Sequence, residues 1–79
     1  MTEEEFKNWL GEGKISKRTL AYHSFNGYKE YKLRIERNHE VYESYITYDP
    51  VNAPRGQIYL ITFSMPILIE QGVQQNLNL

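Results

Sequence analysis

Few side chains in these 79 residues are equipped for chemistry: there are two histidines, one aspartate and no cysteine. His23 and Glu30 form the one candidate acid–base pair, because a hairpin turning at Asn26-Gly27 sets them opposite each other. General acid–base work also needs a pocket that holds a substrate within hydrogen-bond reach and excludes water. The outer face of a small sheet supplies none, so the pair reads as a structural cross-strand contact. His39 falls in a turn, and its separation from His23 matches no zinc-ligand spacing. Gly11-Glu12-Gly13-Lys14 lacks the four residues between glycines, the preceding strand and the following Ser or Thr of a phosphate loop, and reads as a plain turn. No nucleophile elbow of the Gly-x-Ser-x-Gly kind occurs. The expectation is a chain without enzymatic activity, metal or cofactor.

What remains is binding. Seven tyrosines stand among nine Lys and Arg and ten Asp and Glu. Tyr28, Lys32, Arg34 and Tyr45 are expected on one sheet face, and Arg55 in a long loop; these five are the candidate partner-binding residues. Tyrosine and arginine are favoured at protein interfaces. Aromatics interleaved with cations also stack bases and neutralise phosphates. With a net charge of −1, and glutamates at 30, 36, 40 and 43 on or bordering the same sheet, the chain lacks the basic stripe that phosphate binding requires.

The elements that position these residues follow from turns and alternation. Asn26-Gly27 predicts a two-residue type I′ turn, whose central residues both need positive φ. Counting outward pairs Phe25 with Tyr28, His23 with Glu30, Tyr22 with Tyr31, Leu20 with Leu33 and Thr19 with Arg34. A second turn around Asn38-His39, with a loop of those two residues or of the four from Arg37 to Glu40, gives one register either way: Ile35 with Tyr42, Leu33 with Ser44, Tyr31 with Ile46, and Arg37 next to Glu40. Alternation then gives one apolar face of Leu20, Tyr22, Tyr31, Leu33, Ile35 and Ile46. The other face is charged, and carries Arg34 between Thr19 and Glu43. The same first strand also fits a helix, with Lys17, Leu20, Ala21, Ser24 and Phe25 at helical spacing behind an N-cap at Ser16. In that alternative, residues 11–22 become the turn and second helix of a helix-turn-helix, with Lys17 and Arg18 as nucleic-acid contacts.

Thr2 and Glu5 stand in capping-box spacing ahead of Phe6, Trp9 and Leu10, which predicts a helix over 2–11 with one apolar stripe. Under three turns long, it must dock to be stable. Residues 49–57 hold Pro50, Pro54 and Gly56 and form the longest connection, which either carries contact residues or leads a fourth strand to a distant edge. Strand four, 58–65, is apolar on both sides, a pattern that usually means cover on both faces. After it, Met65, Leu68, Ile69, Val73 and Leu77 recur at helical intervals, while β-branched Ile67 and Ile69 and Gly72 favour a fifth strand over 67–71 instead.

The expected architecture is α+β: a short N-terminal helix on a four-stranded, mainly antiparallel meander (strands about 17–25, 28–37, 40–48 and 58–65), with residues 66–79 as a helix or fifth strand. Seventy-nine residues support one domain and one small core, and 41% hydrophobic with 24% charged residues is ordinary for a folded chain. The N-terminal residues lack a secretory pattern, the longest apolar segment falls short of the ~20 residues that span a bilayer, and cysteine is absent. These features lead to the expectation of a cytoplasmic protein with no membrane partner. The functional expectation is a small protein-binding module occupying a surface of a larger protein, of the kind that phages and mobile elements direct against host machinery such as defence nucleases. The alternatives are a nucleic-acid-binding regulator, through Lys17 and Arg18 or through the sheet surface, and a structural homo-oligomer formed through strand four and the C-terminal tail.

Overall fold

The computed structural model describes residues 1–71 of the chain. One helix, α1 (Glu3–Leu10), precedes five strands, β1 (Lys14–His23), β2 (Lys29–Arg37), β3 (Glu40–Asp49), β4 (Leu60–Phe63) and β5 (Ile67–Gln71). The strands form one sheet in the order β1-β2-β3-β4, and β5 also pairs with β3. All pairings are antiparallel. The molecule is only 15 Å across its thinnest dimension, close to one sheet with partial cover.

The capping box forms as predicted. The Thr2 N–H donates to Glu5 Oε1 at 2.8 Å and the Glu5 N–H to Thr2 Oγ1 at 3.0 Å, which satisfies two free donors of the first turn. That bond from the Thr2 backbone holds the Glu5 carboxyl below its ordinary value of 4.5. A depressed carboxyl contributes stability above its unfolded pKa and loses it as pH falls through the folded one. Acid titration of the chain against E5Q is therefore expected to show a constant stability difference above about pH 4.5 that shrinks below it. A difference independent of pH would refute the assignment.

Phe6 is buried and stacks on Phe63 with centroids 4.0 Å apart, which fixes the helix to β4. Leu33, Ile35 and Ile46 complete the core with them. Ser44, in the same layer and 1% exposed, donates to the Ser64 carbonyl at 2.7 Å. Ser64 Oγ in turn accepts from the Tyr45 N–H at 2.8 Å, so a break between β4 and β5 is bridged by two serines. The fifth-strand reading of 67–71 is the one observed, and the helical reading from Met65 onward fails over its described part. Its continuation, with the tail residues Leu77 and Leu79, lies outside the described residues.

The β2–β3 register matches the expectation at every position named, including Ile35 with Tyr42, Leu33 with Ser44 and Tyr31 with Ile46. Asn38 and His39 both have positive φ, 51° and 64°, as a type I′ turn demands. Histidine tolerates this region less well than glycine. H39G is expected to raise stability by about 0.5–1 kcal/mol in chemical denaturation, and a loss would mean that the His39 side chain makes a contact worth more than the backbone cost.

The first hairpin corrects the sequence reading. Residues 14–23 are a strand, not the helix of the alternative, and the strand starts and ends earlier than 17–25. The Asn26 side chain accepts from the Tyr28 N–H at 3.1 Å, and the Gly27 N–H donates to the Ser24 carbonyl at 3.2 Å, with Gly27 at φ +95°. This stabilises a three-residue loop, Phe25-Asn26-Gly27, in place of the predicted two. The pairing shifts by one at the turn. That shift sets Tyr22 opposite Glu30; a bulge at Ala21 adds a second, so that Leu20 faces Tyr31 and Lys17 faces Arg34, and a bulge at Ser16 adds a third, so that Ile15 faces Ile35. Leu20 and Thr19 keep their predicted faces. Tyr22 and His23 exchange theirs, and His23 lies opposite Lys29 rather than Glu30.

Strand four is also shorter than predicted and is not carried to a distant edge: β4 lies beside β3, with Ile46 opposite Phe63. The expected cover on both its sides is not found among the described residues, since Ile58 stands before the strand and is 77% exposed, and Met65 lies beyond it at 70%. No described helix is long and apolar enough to cross a membrane.

Candidate functional site

The sheet has two unlike faces. On the helix-bearing face, α1 covers the half around Phe63, Tyr42 and Arg37. The opposite face has no covering element among the described residues. Alternation from the observed register places Lys17, Thr19, Lys32, Arg34, Glu43 and Tyr45 on this open face. The first five line a shallow groove of about 440 Å³. Lys32 and Tyr45 are direct cross-strand neighbours, as are Lys17, Arg34 and Glu43 across three strands.

Of the predicted contact residues, the structure therefore gathers Lys32, Arg34 and Tyr45 and adds Lys17 to them. Tyr28 stands at the hairpin end of the sheet, edge-on to Tyr22 with centroids 5.8 Å apart. Arg55 is exposed at a turn closed by the Gln57 N–H donating to the Pro54 carbonyl at 2.9 Å, with Gly56 at φ +84°, and it is not among the groove-lining residues. The loop before it is held by Asp49, whose carboxylate accepts from the N–H groups of Val51 and Asn52 and from Asn52 Nδ2. The Asn52 side chain leads in holding the Asp49 carboxyl below the usual range, with its backbone and that of Val51 assisting.

Lys17 and Arg18 do not share a surface. Successive strand residues point to opposite faces, and Lys17 pairs with Arg34 while Arg18 pairs with Leu33. A recognition helix carrying both is not formed. The expected pairing of Arg34 between Thr19 and Glu43 is replaced by Lys17, Arg34 and Glu43 in register, and Arg34 reaches Glu70 on β5 at 3.3 Å. Lys32 reaches Glu43 at 3.6 Å, and Lys14 reaches Glu36 at 3.8 Å. Arg37 is opposite Glu40 in register but turns to the helix instead, donating to the Trp9 carbonyl at 2.6 Å. Glu40 accepts from the Tyr42 hydroxyl at 2.6 Å, which pushes the Tyr42 pKa up.

These ion pairs set the charge of the open face. Each is solvent-exposed and contributes about 0–1 kcal/mol to stability. Their larger effect is on the potential, because the cations at Lys32 and Arg34 are each neutralised by a carboxylate within 3.6 Å. Among the described residues, no group of three or more His, Asp or Glu is placed to hold a metal ion.

Sequence reasoning missed a second constellation, on the uncovered half of the helix-bearing face. There Arg18, Lys29, Tyr31, Tyr48 and Tyr59 line a small depression of about 130 Å³. The signal lay in the tyrosine count, but the three-residue loop and the Ala21 bulge that bring Arg18 alongside Tyr31 were not legible in advance.

Comparison with family models, with curated proteins and with solved structures gives no match, so the α+β meander and its two faces are interpreted on their own physics.

Proposed function

We propose that this chain is a small protein-binding module that acts by occupying a surface of a larger protein and performs no chemistry of its own. The observation that supports this reading is the open sheet face, where Lys17, Thr19, Lys32, Arg34, Glu43 and Tyr45 form a mixed-charge surface with an aromatic at its side. Interfaces are built from such aromatic and arginine anchors inside a polar rim. The partner in this proposal is a host protein or complex in the host-cell cytoplasm. The setting is a phage or mobile element that uses the module to block host machinery such as a defence nuclease; small size and a lack of catalytic constellations support that setting.

The test uses the full chain with a photo-crosslinking residue at position 45, expressed in candidate host cells. A single stoichiometric adduct is expected that survives nuclease treatment and is lost in the double charge reversal K32E/R34E, which circular dichroism is expected to show folded. An adduct unaffected by the reversal would sink the proposed face. Dependence of the complex on nucleic acid would favour the regulator reading. A defined dimeric mass with no foreign adduct would favour the homo-oligomer through strand four and the tail.

A further inference from the structure

The uncovered half of the helix-bearing face carries a second constellation, on the opposite side of the sheet from the Lys17, Lys32 and Arg34 groove. Its residues come from four consecutive parts of the sheet: Arg18 on β1, Lys29 and Tyr31 on β2, Tyr48 on β3, and Tyr59 at the entry to β4. The register sets Lys29 opposite Tyr48, and Tyr31 lies diagonally across from Arg18. The Arg18 guanidinium carbon sits 4.0 Å from the centroid of Tyr31 and 5.7 Å from that of Tyr48. Tyr31 meets Tyr48 at 88° and Tyr48 meets Tyr59 at 75°, so the three rings brace one another edge to face.

Unlike the open face, this row has no ion pair among the described residues. The ion pairs among the described residues are Lys14–Glu36, Lys32–Glu43 and Arg34–Glu70, and none involves Arg18 or Lys29. No carboxylate among the described residues lines the depression. The described tyrosine hydroxyl that donates a hydrogen bond to another side chain is that of Tyr42, outside this row. An arginine placed over an aromatic ring keeps its N–H donors for a ligand, and its planar fork matches a carboxylate in two-bond geometry.

We infer that Arg18, Lys29, Tyr31, Tyr48 and Tyr59 form a receptor for a carboxylate side chain on an acidic segment of a partner protein. Two features favour this ligand over nucleic acid. The ring face of Tyr31 that a base would stack on is occupied by Arg18, and the edge-to-face rings leave no flat platform. Two cations above a depression of about 130 Å³ suit one carboxylate, whereas a polyphosphate backbone is tracked by a longer basic stripe.

The test is a titration of the isotope-labelled full chain with acetylated, amidated hexaglutamate, read by NMR, with hexaglutamine and hexathymidylate as parallel probes. Hexaglutamate is expected to shift Arg18, Lys29 and the three tyrosines, with an affinity that falls as salt is raised. R18Q, and R18K to a smaller degree, is expected to weaken binding by about tenfold, the loss of one charge-assisted two-bond contact. K32E, on the other face, is expected to leave it unchanged, which separates this site from the surface proposed above. Shifts confined to the Lys17, Lys32 and Arg34 groove, tighter binding of hexathymidylate at the tyrosine row, equal binding of hexaglutamine, or no shift at millimolar peptide would each overturn the inference.

Discussion

F6A is expected to lower stability by about 3–5 kcal/mol. Phe6 is 2% exposed and lies nearly parallel to Phe63, with an interplanar angle of 9°. It is also the buried residue through which α1 docks. A helix of eight residues is far below the length that is stable alone in water, so its order comes from docking. Removing the ring takes away the apolar burial and the aromatic pair together, and it uncovers Leu33, Ile35 and Ile46 beneath the helix. Against a total stability of about 5–15 kcal/mol for natural domains, with small ones at the low end, this loss leaves a substantial unfolded fraction. Urea denaturation followed by Trp9 fluorescence and by far-ultraviolet circular dichroism provides the test. A cost under about 1 kcal/mol would mean that α1 is a decoration on the sheet and not part of its core.

The consequence for function lies in the asymmetry of cover. With α1 gone, the remaining sheet would have two open faces, and the open face proposed to bind a partner would no longer be the only large one. F6A should therefore weaken partner binding in proportion to the unfolded fraction, whereas K32E/R34E should weaken it without loss of fold. The contrast separates a structural effect from an interface effect.

Which parts of this arrangement could be read from the residues follows from how local each constraint is. The capping box at Thr2 and Glu5 and the turn at Asn38-His39 depend on four adjacent residues, and both appear as expected. The β2–β3 register followed from that turn together with strict alternation. At the first hairpin the deciding interaction is the Asn26 carboxamide oxygen, which accepts from the Ser24 hydroxyl and the Tyr28 N–H and so favours a loop of three residues. Asn-Gly is compatible with either loop, and nothing in the dipeptide reports which one wins. The bulges at Ser16 and Ala21 are less legible still. Ser16 is held by its hydroxyl donating to the Arg34 carbonyl at 3.2 Å, a contact eighteen residues away in the chain. The longer loop moves the pairing by one position, which exchanges the faces of Tyr22 and His23; the Ala21 bulge moves it by one more, which restores the faces beyond it and sets Arg18 diagonally across from Tyr31. The C-terminal segment was ambiguous for a different reason. Leu68 satisfies helical spacing and strand alternation equally, and pairing with the vacant end of β3 decides for the strand. Of the candidate contact residues, Lys32, Arg34 and Tyr45 depend on the β2–β3 register alone and are brought together. The pairing of Lys17 and Arg18 depended on a helix that does not form.

R37A is expected to cost about 2–4 kcal/mol, and R37M about half as much, although both remove the same charge. The Arg37 guanidinium donates through Nη1 to the Trp9 carbonyl at 2.6 Å, which satisfies one of the carbonyls left free at the end of α1. Its guanidinium carbon lies 4.3 Å from the Trp9 ring centroid and 5.3 Å from that of Tyr42, while those two rings meet at 86°. Arg37 thus joins the helix end to β2 and β3 by a hydrogen bond, two cation–π contacts and the packing of its stem. Against this, its Nε is buried without a partner among the described residues, a cost that a neutral side chain would not carry. Methionine keeps much of the stem packing and removes that cost, but leaves the Trp9 carbonyl without its donor; alanine loses the packing as well. If the two variants are equally destabilised in urea, the charge-assisted contact to Trp9 dominates. If R37M matches the unsubstituted chain, the buried Nε offsets all that the guanidinium contributes, and the helix is held by its apolar contacts and by the Met1–Phe63 backbone pair at its start. The intermediate result expected here would make Arg37 the fastening of the C-terminal end of α1, opposite the end where Met1 pairs with Phe63.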